Sequence, residues 1–371
     1  MNILLCMAES PDGCTWYRVQ QFVDSANRQK LAEHRFLKWS LSDAEMANLI
    51  TQADVFLLRL NDKAPTIVKT LKASPNRRPI ILDIDDSYDH INVLSDMYRI
   101  LGTDEVKLED GSYLWKDGEG KFDLEANRQR IASYEQVMRE VDAIIVTTLT
   151  LRTYALQFNP NVVVVPNSID PVLFPDVSVK RDNTIRIVWS GGSSHYDDLA
   201  EIAPVIREIL REYPNVEYHH VGQRFPGIFK MLDSNRVFQH RWLHPEAHGY
   251  RLATLGGDIG LCPIKDEPFN RYKSSVKFYE YSMSGMATIA RGIEPYTDDI
   301  TNEKTGLLYN SNDELKSQLV QLINDPVLRV SMARSARNYV EANRDVDAVT
   351  RDWVAFLSGV ADALKGGHAT T

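Results

Sequence analysis

The sequence predicts an α/β protein made of two doubly wound domains, and three observations carry that prediction. Short, continuous apolar runs such as Asn2–Met7 and Ala143–Thr147 have the pattern of parallel strands buried on both faces. Helical patterns alternate with them. The alternation closes on a Pro-Asn turn at Val165–Asp170 and then starts afresh, in a chain of 371 residues that is too long for one ordinary core.

In the first half, strands are expected at Asn2–Met7, Arg35–Trp39, Asp54–Arg59, Pro79–Asp83, Ala143–Thr147 and Val162–Val165, with helical patterns between them at Ala44–Gln52 and Pro65–Ala73. Asn92–Phe122 interrupts the order. It is polar, holds Gly102, Gly111, Gly118 and Gly120, and reads as a long irregular insertion, an acceptor-side loop in preference to an idle excursion. The second half repeats the scheme with strands at Ile185–Ser190, Val216–Val221, Asp258–Pro263, Met286–Ala290 and Gly306–Tyr309. Helices are expected at Tyr196–Arg211, Pro245–Leu255, Ser274–Met283, Asn312–Ile323 and Pro326–Glu341, the first with a core-facing stripe from Leu199 to Leu210. Asp347–Leu364 carries Trp353, Phe356, Leu357, Val360 and Leu364 on one face, and the residues beyond Gly366 read as a frayed tail. The expected division is therefore 1–175, 176–345, and a terminal helix from 346.

Composition bounds the function. The chain is 43% hydrophobic and 25% charged, ordinary for a soluble globular protein, and no apolar run is long enough to span a bilayer. The N-terminus lacks the features of a signal peptide, and three widely spaced cysteines read as reduced thiols, so a cytoplasmic location is expected. A net charge of -9 weighs against binding nucleic acid through bulk electrostatics, while leaving room for a local basic groove.

The most informative stretch runs from Leu261 to Ile293: a strand end, a polar loop, a helix and a second strand. A helix from Lys273 to about Met283 would set Lys273, Lys277 and Glu280 at i, i+4 and i+7, on one face. Two ammonium groups and a carboxylate beside a strand's C-terminal end suit a ligand that carries phosphates and hydroxyls, and the helix N-terminus adds donors. Ordinary Lys–Glu pairing on a surface helix would give the same pattern.

The run KSSVKFYEYSMSGMATIARGIEPY, followed by TGLLY, resembles the donor-site segment of GT-B glycosyltransferases, in particular the retaining family 4. VPNSIDPVLF at Val165–Phe174 is similar to the segment by which that family enters its interdomain linker, with Ser168 in place of the usual Gly. The resemblance covers the second half well and the first half only by pattern and by this segment. It implies two Rossmann-like domains facing a cleft, a C-terminal helix crossing back to the first domain, and transfer of a sugar from a nucleotide diphosphate to an acceptor hydroxyl with retention. It implies that Glu280 holds the donor ribose and that Lys273 or Lys277 meets the diphosphate. The family's second glutamate, which stands before Glu280 across a gap of seven residues, is replaced by Tyr272.

Other motifs are weighed beside it. Ser190-Gly191-Gly192-Ser193-Ser194-His195 is either an ordinary strand-to-helix turn or a phosphate-approaching loop. In proteins of the resembled family this loop contacts diphosphate or sugar, often through a basic residue, for which His195 is the nearest substitute; Asp197 and Asp198 read as helix caps. Asp83-Ile84-Asp85-Asp86 has carboxylates suited to a divalent cation or to base chemistry. The resemblance favours acceptor contact there, with His90 beside it and Asp85 among the catalytic candidates, and no metal cofactor. It also sets Gly13, Tyr17 and Arg18, after the first strand, toward the sugar and acceptor, and Arg241-Trp242 with Gly222 along the nucleotide base. His240, His244 and His248 have helical metal-ligand spacing, but Pro245 breaks that helix.

The expected function is thus a metal-independent nucleotide-sugar transferase acting on a glycan, lipid or protein acceptor, with catalysis resting on positioning and leaving-group charge. Three rivals stand beside it. No G-x-G-x-x-G follows either opening strand, which disfavours a dinucleotide oxidoreductase. Tyr272 leaves room for a non-catalytic binding protein of the same fold. Clusters such as Arg77-Arg78 and Arg128–Arg130 leave room for a modified DNA base as acceptor.

Overall fold

The computed structural model describes residues 2–7, 13–37, 48, 51–175 and 183–367, with side chains described outside 2–7, 33–37 and 364–367. The chain forms two compact units: Met1–Val93, Met97–Asn167 and Val346–Thr371 in one, Leu94–Asp96 and Ser168–Asp345 in the other. The break after Asn167 falls earlier than the expected boundary at 175.

Unit 1 holds a six-stranded parallel sheet of β1 (Asn2–Met7), β2 (Glu33–Leu37), β3 (Val55–Arg59), β4 (Ile80–Ile84), β7 (Ala143–Val146) and β8 (Val162–Val164), in the order β2-β1-β3-β4-β7-β8. β4 and β7 are buried at every residue, which is why they read as unbroken apolar runs. The second strand begins two residues before the expected Arg35. The helix expected at Ala44–Gln52 lies largely outside the described residues.

A short helix, Gly13–Thr15, and one π-helical turn, Trp16–Gln20, lead into α1 (Gln21–Arg28). α2 (Ala64–Ala73) follows with Pro in its first turn. The segment from α3 (Tyr98–Leu101) to Phe122 corrects the expectation of an irregular loop. β5 (Val106–Lys107) and β6 (Tyr113–Trp115) pair antiparallel, and Tyr98, Trp115 and Phe122 pack ring to ring at 5.7–6.0 Å. The Asn127 side chain donates to the carbonyls of Arg99 (3.0 Å) and Gly102 (2.9 Å), tying the segment to α4 (Leu124–Glu140). Asp123 caps α4, and Thr148 caps α5 (Leu149–Ala155).

Unit 2 contains β9 (Ile185–Gly191), β10 (Val216–Gly222), β11 (Val237–His240), β12 (Ile259–Cys262), β13 (Ala287–Arg291) and β14 (Leu307–Tyr309), all parallel, in the order β11-β10-β9-β12-β13-β14. β11 escaped the sequence reading because it is a short edge strand of mixed polarity, VFQH, buried at no residue. Around the sheet lie α6 (Tyr196–Glu212), α7 (Pro226–Leu232), α8 (Pro245–Leu255), α9 (Pro268–Arg271), α10 (Val276–Met283), α11 (Tyr296–Asp299), α12 (Asn312–Asn324) and α13 (Pro326–Asn343). α6 buries the expected stripe, Leu199, Ile202, Val205, Ile206, Ile209 and Leu210, against β9 and β10 residues such as Ile187 and Tyr218. α10 begins at Val276, so Lys273 lies on the turn before it, and the expected three-residue face reduces to Lys277 and Glu280.

The chain then returns to unit 1. α14 (Val346–Gly367) lays Val346, Val349, Trp353 and Leu357 into a core shared with Val19, Phe22, Leu57 and Ile81. Trp353 stacks on Phe22 at 5.7 Å, and Asp347 in the first turn accepts from the Ser25 hydroxyl at 2.6 Å. Among the described residues, no helix is long and apolar enough to cross a membrane.

The strand orders locate the candidate sites. In an open parallel sheet, a crevice forms at the carboxyl ends of the two strands between which the chain's direction of winding reverses. In unit 2 those strands are β9 and β12, which end at Gly191 and Cys262.

Candidate active site

Gly191 ends β9, and the chain runs through Gly192 into the turn Ser193–His195 before α6. A Cβ at Gly191 would lie 2.6 Å from the Trp189 ring and 3.1 Å from His195 Cδ2, so only glycine lets His195 fold back beneath the strand end. Gly192 and Ser193 are exposed, and a Cβ at Gly192 would meet open space.

His195 is 6% exposed and is held at both nitrogens. Nδ1 lies 2.7 Å from Asp198 Oδ2, and Nε2 lies 2.9 Å from Lys277 Nζ. A carboxylate accepts a hydrogen bond from Nδ1–H and an ammonium needs an acceptor, so the pair of contacts selects the neutral Nδ1–H tautomer. Burial, then the Lys277 charge, lowers the His195 pKa to about 4. The Lys277 pKa is lowered as well, by desolvation first and by the neighbouring Lys273 ammonium next. Lys273 leans over the Phe269 ring, its Nζ 4.1 Å from the centroid.

Asp198 was expected to cap the helix. It instead accepts from the Lys265 backbone N–H (2.8 Å) and the Asn270 side chain (3.2 Å) through Oδ1, leaving Oδ2 for His195. Burial pushes its carboxyl up, but these hydrogen bonds and nearby cations outweigh it and hold the pKa low. Asp197 pairs with Lys265 at 3.3 Å.

Glu280, one turn along α10 from Lys277, is buried at 5% exposure with Oε1 3.6 Å from His248 Nε2. His248 Nε2 is also 3.2 Å from the Ser190 hydroxyl, and the Tyr281 hydroxyl accepts from the Ser190 N–H at 2.8 Å. The His248 ring carries the exposed Trp242 stacked on it, at 5.0 Å and 25°. Gly222, with φ +109°, brings the end of β10 close to both Gly191 and Trp242: a Cβ there would be 2.4 Å from the Gly191 carbonyl and 3.3 Å from the indole. Arg241 is exposed beside Trp242. The C-terminal ends of β9, β10 and β12 thus bring two cations, Lys277 with Lys273, near a carboxylate, Glu280, and the stacked rings of His248 and Trp242. The three histidines of helical spacing are dispersed: His240 lies on β11 stacked against His219 at 5.2 Å, His244 precedes α8, and His248 lies inside it.

In unit 1, two acceptor candidates are reassigned. Arg18 and Asp83 are fully buried and joined by two hydrogen bonds, Nε–Oδ1 at 2.9 Å and a terminal nitrogen to Oδ2 at 2.7 Å. The other terminal nitrogen of Arg18 donates to the Val165 carbonyl (2.8 Å) and the Asn167 side chain (3.0 Å). Each of the three nitrogens of this guanidinium serves the fold. Asp85 is partly exposed and pairs with Arg59 at 2.7 Å. Burial raises its pKa, but the Arg59 charge overcomes this and keeps the carboxyl ionised. Asp86 and Tyr17 are half-buried, Gly13 opens the first short helix, and exposed His90 lies 2.7 Å from Asp89. Among the described residues, no three His, Cys, Asp or Glu side chains converge as a metal site.

No family model matches this chain, and no curated protein does. Solved structures do. Sucrose-phosphate synthase from Thermosynechococcus elongatus is similar with a TM-score of 0.68 and 13% identity, over 98% of this chain and 100% of that one. HepE (Alr3699) from Anabaena, solved with UDP and glucose, is similar with a TM-score of 0.64 and 14% identity, over 96% and 99%. TarM from S. aureus, solved with UDP, gives 0.58 and 13%, over 84% of this chain, which spans 57% of TarM. These likenesses, with the two parallel sheets and the returning helix, define the class: the chain has the GT-B glycosyltransferase fold.

Sequence reasoning missed Asp198 as a partner of His195, Tyr281 and His248 as partners of Ser190, and Arg59 as the partner of Asp85. His248 stood out only through its spacing from His240 and His244, and Ser190 only as the start of the glycine turn.

Proposed function

We propose that this protein is a nucleotide-sugar-dependent glycosyltransferase whose donor diphosphate lies over Lys277, His195 and the Gly191–Ser193 turn. The observation that carries the reading is the pairing of Lys277 with neutral His195 at the β9/β12 switch point, with Glu280 and the Trp242–His248 stack beside it. Lys273 and Lys277 supply positive charge where a diphosphate would depart, and Glu280 accepts hydroxyl protons as a ribose requires. Trp242 offers a flat, exposed ring to a base. The chemistry is transfer with retention: the acceptor hydroxyl approaches on the face from which the diphosphate leaves, the departing oxygen takes up its proton, and no metal cofactor is needed. Asp85, held ionised by Arg59, and Asp86 and His90 are the groups proposed for the acceptor. The acceptor is a glycan, lipid or protein hydroxyl, and the protein works in the cytoplasm.

A thermal-shift panel of UDP-, GDP-, ADP-, CMP- and dTDP-sugars without added metal tests this. A selective rise of about 5 °C or more is expected for one nucleotide at saturation. No rise with any of them, with or without Mg²⁺ or Mn²⁺, overturns the reading. Glu280→Gln keeps the side chain's shape but loses its charge. It is expected to weaken donor binding by roughly ten- to a hundredfold while changing turnover less, because a charged hydrogen bond contributes ~1.5–3 kcal/mol. Unaltered donor affinity by calorimetry removes the ribose role.

A further inference from the structure

The Asp198–His195–Lys277 chain has one more property than anion binding requires. Lys277 Nζ and His195 Nε2 are joined at 2.9 Å, so a diphosphate that draws on the lysine competes with this hydrogen bond. A lysine that swings to a phosphate leaves Nε2 with a bare lone pair beside an anion, while Nδ1–H stays anchored on Asp198 at 2.7 Å. Asp198 is itself fixed by the Lys265 N–H and the Asn270 amide, so the imidazole ring cannot turn away. A neutral imidazole in that position repels the phosphate oxygen, whereas an imidazolium donates to it.

We propose that the donor diphosphate binds together with one proton from solvent: Lys277 moves from His195 to the phosphates, His195 is protonated at Nε2 as a second cation, and Asp198 is the positioning residue that makes this possible. This rests on the transferase reading above. The balance is simple: one proton joins Nε2 on binding and leaves when the nucleotide leaves. The groups facing His195 are Asp198 from α6, Lys277 from α10, Lys273 from the turn before α10, and the uncharged Trp189 ring of β9, edge-on at 6.0 Å. Glu280 and Cys262 act on Lys277 and so only indirectly on the ring. In the free protein, burial and Lys277 keep the imidazole pKa at about 4. Exchange of the Lys277 contact for a dianion raises it. The sign follows: between about pH 4 and the bound-state pKa, affinity falls as pH rises, by up to tenfold per pH unit for one proton.

The test is calorimetric titration with UDP-glucose at pH 7, in two buffers of different ionisation enthalpy. The diphosphate of UDP-glucose has no ionisation near neutrality, so any proton taken up belongs to the protein. Uptake approaching one proton is expected, with affinity falling from pH 5.5 to 8. Asp198→Asn is expected to bring uptake below half a proton and to weaken binding more at pH 7 than at pH 5.5. His195→Arg, a permanent cation, is expected to bind with no uptake and a flat pH profile. Should Asp198→Asn fail to fold, the wild-type proton count and His195→Arg still decide. Binding by the wild type with no uptake and a flat profile overturns the proposal alone. Failure of UDP-glucose and of every nucleotide sugar in the panel to bind overturns the reading beneath it.

Discussion

Lys277→Ala is expected to lower turnover by about 10²–10³-fold, the loss typical when one donor to a developing oxyanion is removed. On the proposed transferase reading, the diphosphate gains negative charge as the glycosidic bond breaks, and a cation in contact with it would stabilise the transition state more than the bound donor. Donor affinity is therefore expected to change less than turnover. The same substitution separates catalysis from folding. Lys277 is partly buried, its ammonium is disfavoured by desolvation and by Lys273, and its neighbour on one side is another polar group, His195. Its removal is expected to leave the melting temperature unchanged or slightly higher, as at sites where function holds an unfavourable charge in place. Turnover within threefold of the wild type, measured under saturating donor, would remove Lys277 from the chemistry. A large fall in melting temperature would recast it as structural.

The second large effect lies in unit 1. Arg18→Ala is expected to destabilise that unit by about 3–5 kcal/mol, because it leaves the Asp83 carboxylate buried without its partner. The melting temperature of unit 1 is expected to fall by roughly 10 °C or more. The guanidinium bridges β4, through Asp83, to the segment beyond β8, through Val165 and Asn167. Its loss thus opens three contacts at once. Arg18→Met combined with Asp83→Leu is expected to recover much of the stability, since a buried ion pair replaced by apolar groups is often neutral or better. A melting temperature within 2 °C of wild type for the single variant would show that the pair is dispensable.

The strands were legible because strands covered on both faces are apolar throughout, and short runs such as Ile80–Leu82 and Ala143–Val146 alternate with longer helical patterns. β11 was not, because an edge strand can carry polar residues. Lys277 and Glu280 could be picked out together because their spacing survives in a helix of eight residues. Lys273 was misplaced because the chain makes a separate turn at Pro268–Arg271 and restarts only at Val276, a break that a periodic pattern does not register. Arg18 and Asp83 show the harder limit. An arginine and an aspartate near strand ends look alike whether they face a ligand or one another, and their partnership spans 65 residues of sequence. Asp198 fails for the opposite reason: it is so near a helix start that capping was the natural expectation, while its oxygens serve a loop and a ring.

Unit 1 is assembled from both ends of the described chain, with Trp353 and Leu357 of α14 seated among Phe22, Leu57 and Ile81. During synthesis the nascent polypeptide therefore leaves the ribosome with an unfinished first core, whose apolar floor around Phe22 and Val19 waits through the translation of almost all of unit 2. Unit 2 draws nearly all its residues from one uninterrupted stretch and meets no such delay. Order of manufacture and order of completion are reversed: the unit made first is the last to close, and the chain spends that interval dependent on whatever keeps exposed hydrophobic surface from associating with its neighbours.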